Sequence, residues 1–229
     1  PTPTPAPRST STPVPLTDLT KTQTPTPTAL ELDPVVEAIP DGQWERMVES
    51  GTWRPGCPVS REDLRRLTLT YVDFSGAPQR GVLVVNADVV DDLIAVFGGL
   101  LDAGFPIAQM RPVERYYGEV NASLSANNTS AFNCRKPDQI NAPVTQSPHA
   151  NGRAIDINPV QNPWQDPRCK CWSPTDEYAD ATTGPGVIRA DSLPVQLFED
   201  RGWIWQDIKV ADYMHFDTGF PSKPWREGG

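Results

Sequence analysis

The hydrophobic positions between residues 67 and 104 follow first the period of strands and then the period of a helix. In residues 67–74, LTLTYVDF, apolar side chains alternate with threonines, which predicts a strand. Residues 81–86, GVLVVN, are a short apolar run typical of a buried strand. Residues 87–104 predict an amphipathic helix that ends at Gly104. Its apolar face consists of Val89, Val90, Leu93, Val96, Phe97, Leu100 and Leu101.

Further elements follow from the same periodicities and from capping signals. They are a helix in residues 60–67 with Ser60 as N-cap and Asp63 three residues later, a strand in residues 105–113, a strand in residues 153–158, a helix in residues 192–202 with Pro194 early and Gly202 at its end, and closing strands within residues 203–217. The order of helices and strands predicts an α+β fold with an antiparallel sheet and flanking helices.

The first part of the chain has a different composition. Residues 1–28 contain eight prolines and ten threonines, so they have too little apolar surface to offset the entropy of ordering the chain. We expect a disordered Pro/Thr-rich linker over residues 1–33 and one globular domain over residues 34–229. Such a tether suits a secreted or surface-anchored protein, and we expect its signal or membrane anchor to lie upstream. No hydrophobic run of the sequence itself reaches the roughly 18 to 20 residues of a membrane span.

The net charge and the cysteines limit the possible partners and the compartment. A net charge of −9, with no basic run longer than Arg65-Arg66, argues against nucleic acid as a partner. The cysteines form an even set of four, Cys57, Cys134, Cys169 and Cys171, which favours disulfides and an oxidising compartment. Three pairings are possible, and a four-cysteine zinc site is the rival interpretation. That site is disfavoured because the close pair is C-x-C rather than a pair with a two-residue gap.

Both histidines of the chain lie next to carboxylates on strand-like segments. In SPHANGRAIDIN, residues 147–158, the strand places Asp156 on the face opposite to Ile155, and the Asn151-Gly152 turn can fold His149 back toward that face. In DYMHFD, residues 212–217, Met214 and Phe216 point to the core and His215 to the other side. Two imidazoles and one carboxylate are a common ligand set for catalytic zinc, which leaves one coordination position for water.

These two segments resemble the zinc D,D-carboxypeptidases of the VanY type. The resemblance rests on S-x-H-x-x-G-x-A-x-D, which begins at Ser147, and on D-x-x-H, which ends at His215. It extends over GVLVVNADVVDDLIAVF, FPIAQMRPV, NNTSAFNCR and AIDINPVQNP, and so over most of residues 50–220. The family belongs to the LAS metallopeptidases, which cleave peptidoglycan stem peptides and share a fold with the amino-terminal domain of Hedgehog. The resemblance thus implies a single Hedgehog/DD-peptidase-like domain.

The resemblance also implies roles for individual residues. His149, Asp156 and His215 would bind Zn²⁺, and Asp212 would be the catalytic acid/base. Arg135 would stabilise the oxyanion of the attacked carbonyl, and Ser147 would orient a ligand or the following turn. Cys57 and Cys134 both lie in the part that resembles the family, so we favour a bond between them. A direct Cys169–Cys171 bridge would close a small ring, and a crossed pairing competes with it.

Two segments depart from the family pattern, and these departures bear on which substrate the protein prefers. Gln206-Asp207 follow the W-I-W segment where many relatives carry Gly-Gly, and the insert DPRCKCWSPTDEY follows NPVQNP. We expect a monomeric extracellular or cell-surface enzyme of the bacterial envelope that removes a terminal D-alanine from stem peptides. The alternatives are an L-alanyl-D-glutamate endopeptidase and a wall-binding module without hydrolytic activity.

Overall fold

A computed structural model describes residues 30–134, 147–205 and 211–219, together with Thr2 and Thr4. Its helices are α1 (Asp41–Glu49), α2 (Val90–Asp102), α3 (Val120–Ser125) and α4 (Leu193–Glu199). Its strands are β1 (Val35–Ala38), β2 (Leu64–Val72), β3 (Pro78–Asn86), β4 (Gln109–Met110), β5 (Asn128–Thr129), β6 (Ala154–Asp156), β7 (Trp164–Asp166), β8 (Cys171–Ser173), β9 (Ile204–Trp205) and β10 (His215–Asp217).

The strands form small sheets that are mainly antiparallel. One has the order β1-β2-β3, a second has the order β6-β10-β9, and β7 and β8 form a hairpin. The pair β4 and β5 is parallel. An antiparallel bridge between Ser130 and Asp156 connects the end of β5 to β6. The predicted mixture of helices with antiparallel sheets is therefore confirmed for the described residues.

The main core lies between the first sheet, α2, α4 and the second sheet. All seven apolar positions predicted for the face of α2 are buried, and α2 ends as predicted before Gly104, whose φ is +64°. Leu67, Leu69 and Tyr71 of β2 pack on this helix, because alternate residues of a strand share one face. The longest described helix, α2, has 13 residues, and no helix in the described ranges has the length and apolar character needed to cross a membrane.

A second, smaller core lies on the opposite face of the first sheet. It contains Leu64 and Val84 from the sheet, with Met47 of α1. The disulfide between Cys57 and Cys134 closes this core, with a Cα–Cα distance of 5.9 Å.

The helix predicted for residues 60–67 is wrong. Ser60 and Asp63 do interact, because Oδ2 of Asp63 accepts hydrogen bonds from the backbone N–H and the hydroxyl of Ser60, at 2.8 and 2.9 Å. The chain then enters β2 at Leu64, where pairing with β3 begins opposite Asn86. The pairing of two nine-residue strands thus outweighs the local helix signal.

The strand predicted for residues 105–113 is shorter than expected. Gln109 and Met110 pair with β5 as β4, and Pro106 forms an isolated parallel bridge with Val72. Pro106 and Pro112 flank this pair and have no backbone N–H to donate to a neighbouring strand. The predicted linker over residues 1–33 lies almost wholly outside the described residues, and its boundary stays a prediction. Leu32 packs against the main core.

The four cysteines form two disulfide bonds. All four are oxidised, and the favoured Cys57–Cys134 bond is present. The second bond joins Cys169 to Cys171, so the crossed pairing and the four-cysteine zinc site are both wrong. The insert that departs from the family pattern, residues 166–178, thus contains the turn and the second strand of the β7–β8 hairpin, with this disulfide near its tip.

Candidate metal centre

The register of β6 and β10 brings a carboxylate and an imidazole together. Asp156 and His215 are direct partners across the antiparallel pair, and so are Ile155 and Phe216. Because cross-strand partners point to the same face, the apolar pair enters the core, where both side chains are completely buried. The polar pair points to the opposite face, as the alternation in the sequence predicted.

His149 reaches this face from a short 3-10 turn, Pro148–Asn151, that ends at Gly152. The φ of Gly152 is +68°, which a residue with a Cβ rarely adopts. Its backbone also lies against β3, since its carbonyl accepts a hydrogen bond from the N–H of Asn86 at 2.8 Å. A Cβ on Gly152 would lie 2.7 Å from that nitrogen. Two physical reasons therefore favour glycine at this position of the motif, namely the left-handed φ and the close approach to β3. The turn that ends at Gly152 brings His149 back toward Asp156.

The three predicted ligands present one atom each at a common point. Nε2 of His149 lies 3.1 Å from Nδ1 of His215, and Oδ1 of Asp156 lies 3.3 Å from the first nitrogen and 3.2 Å from the second. Zinc–ligand bonds of about 2.1 Å at tetrahedral angles place neighbouring donor atoms roughly 3.4 Å apart. The donor set therefore fits a tetrahedral metal ion, and these three residues are the group with metal-binding geometry among the described residues.

The remaining nitrogen of each imidazole contacts an acceptor that fixes the ring. Nδ1 of His149 lies 2.7 Å from the carbonyl oxygen of Ala131. Nε2 of His215 lies 2.9 Å from Oδ2 of Asp217. If these nitrogens carry the protons and donate them, the atoms that face the common point keep their lone pairs, which is the arrangement of a metal-binding histidine.

Asp217 contacts His215, and the sequence interpretation did not name it. Its signal was present, because in HFD the carboxylate follows His215 by two positions and so shares its face of the strand. The contact of Ala131 with His149 had no such signal, since a backbone carbonyl leaves no mark in the residue type.

The electrostatics of the site favour a cation. Burial opposes charging of His215, but hydrogen bonds to Asp156 and Asp217, together with the charge of Asp212, raise the pKa of His215 to about 10. Burial would raise the pKa of Asp156, yet its interactions with His149 and His215 lower that pKa far below its ordinary range. The carboxylates thus stay ionised, and the same field that holds a proton on His215 would attract a metal cation in its place.

Asp212 lies at the start of the segment that carries His215. Its carbonyl accepts a hydrogen bond from the N–H of His215 at 3.2 Å, and its backbone forms an antiparallel bridge with Trp164 of β7. The charge of its carboxylate contributes to the raised pKa of His215. The structure therefore places Asp212 within electrostatic reach of the ligand cluster.

Of the other two predicted site residues, Ser147 and Arg135, the structure describes Ser147. Ser147 is buried, and its carbonyl oxygen accepts hydrogen bonds from the N–H of Ala150 and from Nδ2 of Asn151, both at 3.0 Å. The residue therefore supports the turn that carries His149. Arg135 lies outside the described residues, so its predicted role at the oxyanion stays a prediction.

The hairpin of β7 and β8 packs beside the segment that carries Asp212. Trp172 stacks on Tyr213 with ring centroids 5.7 Å apart, and the guanidinium of Arg189 lies 4.1 Å from the centre of the Tyr213 ring. Trp205 stacks on the same tyrosine at 6.3 Å. The insert thus supports the Asp212–His215 segment by aromatic packing.

A small cavity of about 20 Å³ borders the ligand cluster. Its lining includes His149 and Asp156, apolar side chains such as Val113 and Leu124, and polar ones such as Ser123. A space of this size is about enough for one water molecule. The site therefore adjoins a small and partly apolar recess.

Comparison with known protein families agrees with this geometry. A family model described as D-alanyl-D-alanine carboxypeptidase matches residues 141–218, about a third of the chain. The matched segment contains the three candidate ligands and Asp212. It confirms the predicted resemblance to the VanY-type family and indicates a peptidase. No curated protein and no solved structure matches the chain.

Proposed function

We propose that this protein is a zinc-dependent D-alanyl-D-alanine carboxypeptidase that acts on peptidoglycan stem peptides. The observation that carries the proposal is the convergence of His149 Nε2, Asp156 Oδ1 and His215 Nδ1 within 3.1 to 3.3 Å of one another. These residues lie inside the segment that matches the carboxypeptidase family. We also propose that the domain has the Hedgehog/DD-peptidase fold that this family implies.

His149, Asp156 and His215 would hold the metal ion. A bound zinc ion would lower the pKa of a coordinated water to about 7 and polarise the scissile carbonyl. The neutral imidazoles and the single carboxylate give the site a net positive charge once a divalent ion is bound, which favours a nucleophile that carries negative charge. Asp217 and the carbonyl of Ala131 hold the two imidazoles in the orientation that this requires.

Asp212 would move the proton. A carboxylate near the attacking water can accept its proton and then pass it to the leaving amine. The electrostatic effect of Asp212 on His215 supports its placement close to the reacting atoms. Arg135 would stabilise the negative charge that develops on the attacked carbonyl oxygen.

The small recess beside the ligands supports a substrate with small side chains. Val113, Val120 and Leu124 offer an apolar part of the lining that suits a methyl group. This is the chemistry expected for an alanine at the cleaved bond. The two disulfides support an extracellular or cell-surface location, because such bonds persist in oxidising compartments. We expect a monomer whose partners are wall peptides.

The test is hydrolysis of a synthetic stem pentapeptide that ends in D-alanyl-D-alanine, followed by mass spectrometry. Zinc-loaded protein should release one terminal alanine, and His149→Ala should abolish both metal binding and release. Cleavage within the stem would instead assign an endopeptidase. Zinc-loaded protein that binds wall fragments but leaves every peptide intact would show a non-catalytic binding module, and the enzyme proposal would be wrong.

A further inference from the structure

The face of the first sheet opposite to α2 carries a second and larger cavity. Its volume is about 320 Å³, and it lies between α1, the outer face of β2 and β3, and residues 110–115. Cross-strand pairs such as Thr70 with Arg80 point to this side, because Leu67, Leu69 and Tyr71 point to the other. The cavity shares no lining residue with the recess beside the metal centre, although Val113 of that recess lies between Pro112 and Glu114 of this lining.

Five arginines line this cavity. They come from distant parts of the sequence and are Arg46, Arg66, Arg80, Arg111 and Arg115. The chain as a whole has a net charge of −9, so this concentration of positive charge runs against the composition. The fold assembles a basic groove that no basic run in the sequence indicates.

Three of these guanidinium groups have no carboxylate partner among the described residues. Arg66 pairs with Glu37 at 2.6 Å, and Arg80 pairs with Asp33 at 3.2 Å. Within the described ranges Arg46, Arg111 and Arg115 form no ion pair, and all three are exposed. Their charges are therefore available to a ligand.

Glu114, the acid in the lining, offsets only part of this charge, through its electrostatic interaction with Arg46 and Arg115. Glu114 is only 7% exposed, and its Oε1 accepts a hydrogen bond from Nε2 of Gln43 at 2.8 Å. Its Oε2 is buried without a hydrogen-bond partner among the described residues. Glu37, Asp33 and Glu114 together offset at most three of the five cations, so the lining keeps a net positive charge.

We propose that this groove binds a ligand that carries two or more phosphate groups. Guanidinium groups form paired hydrogen bonds with phosphate oxygens, and several of them around one cavity match a ligand with several anionic groups. Free oligophosphates, phosphodiester polymers and anionic lipid headgroups share this chemistry. A long nucleic acid fits less well, since the acidic remainder of the surface repels an extended polyanion. The inference does not depend on the proposed peptidase activity.

The test compares two double variants with the same change in charge. Arg111→Gln/Arg115→Gln removes two of the free cations, and Lys170→Gln/Arg201→Gln removes two exposed cations elsewhere. Calorimetry with tripolyphosphate should show binding to the wild type that weakens with added salt. The groove variant should bind at least about 10-fold more weakly, because it loses charge-assisted hydrogen bonds, and the control variant should bind as the wild type does.

Further probes separate the sources of phosphate. Tighter binding of a glycerol phosphate oligomer than of tripolyphosphate would assign a phosphodiester polymer. Selective binding to vesicles that contain cardiolipin, whose headgroup carries two phosphates, would assign a lipid headgroup. A hexaglutamate peptide that binds as tightly as tripolyphosphate would overturn the choice of phosphate. Binding of a DNA 20-mer more tightly than of the glycerol phosphate oligomer would overturn the argument against an extended nucleic acid. Equal losses in both variants, with circular dichroism showing both folded, or no wild-type binding at moderate salt, would overturn the site itself.

Discussion

Asp217 lies 2.9 Å from His215, with its Oδ2 against the Nε2 that points away from the metal-binding atoms. This contact orients the ring and fixes which nitrogen faces the ligand cluster. Asp217→Asn should therefore weaken zinc binding by about 10 to 100-fold, the usual effect of losing such a supporting carboxylate. Competition with a fluorescent chelator measures the change. Asp200→Asn, at an exposed residue after α4, is the control and should leave zinc affinity unchanged.

Asp212→Asn should behave differently from Asp217→Asn. The three ligands are untouched, so the variant should retain zinc, while turnover should fall by roughly 100-fold or more because the proton acceptor is lost. Activity across a zinc titration separates the two roles. Saturating zinc should restore Asp217→Asn but not Asp212→Asn. Recovery of Asp212→Asn toward the wild-type rate would show that Asp212 supports His215 and does not transfer the proton.

Gly152→Ala should disturb the turn that carries His149. A left-handed φ costs a residue with a Cβ about 1 to 2 kcal/mol, and the Cβ would also meet the backbone nitrogen of Asn86 at 2.7 Å. Gly104→Ala is a matched control, because its φ is +64° and nothing lies within 4 Å of the added Cβ. Denaturant unfolding should show a larger loss for Gly152→Ala, and only this variant should also lose zinc affinity. Equal losses without a change in zinc binding would contradict the proposed contact.

Removal of the Cys57–Cys134 bond should destabilise the domain much more than removal of the Cys169–Cys171 bond. The first closes a loop with a sequence separation of 77 residues, and the second joins residues only two apart. Loop-closure entropy gives about 4.5 kcal/mol for the longer loop and under about 2 kcal/mol for the short one. Paired serine variants, compared by urea unfolding, check this order. A greater loss of unfolding free energy for Cys169→Ser/Cys171→Ser would contradict this order. It would mean that the Cys169–Cys171 bond stabilises the domain beyond the short loop that it closes.

Glu114→Gln should stabilise the protein at pH 7. Burial is the largest effect on Glu114 and raises its pKa, so the folded state holds this proton more tightly than the unfolded state does. The resulting stability is complete below the unfolded pKa and is lost as the pH rises through the folded pKa. The neutral variant avoids that loss, so its advantage should be present at pH 7 and shrink toward pH 4. Urea unfolding at both pH values measures it, with the exposed Glu45→Gln as control.

Local periodicity predicted the elements that are both regular and buried. The alternation around Leu67 and the seven apolar positions of α2 survive in the structure because burial on one face sets the period of a strand or a helix. The same reasoning placed His215 opposite to Phe216 correctly. It failed at residues 60–67, where the local helix signal competed with a partner strand that lies later in the sequence.

The parts that the sequence left open depend on contacts between distant residues. Ala131 contacts His149 through its backbone, and the basic groove combines Arg46 with Arg111 and Arg115 across more than sixty positions. Neither has a spacing that a sequence pattern can reveal. The ligand set was predictable because a family motif, and not periodicity, joins its two halves.

The pairing of Asp156 with His215 across β6 and β10 also sets the order in which the site can form. Until β10 docks, the chain offers only His149 and Asp156, and two ligands hold a divalent ion far less tightly than three. During synthesis the first two ligands emerge about 60 residues before the third, so the ion can be captured firmly only when the last strand has closed the sheet. Under the proposed function, metal uptake would then mark the completion of folding, and a partly folded chain could not hydrolyse peptides.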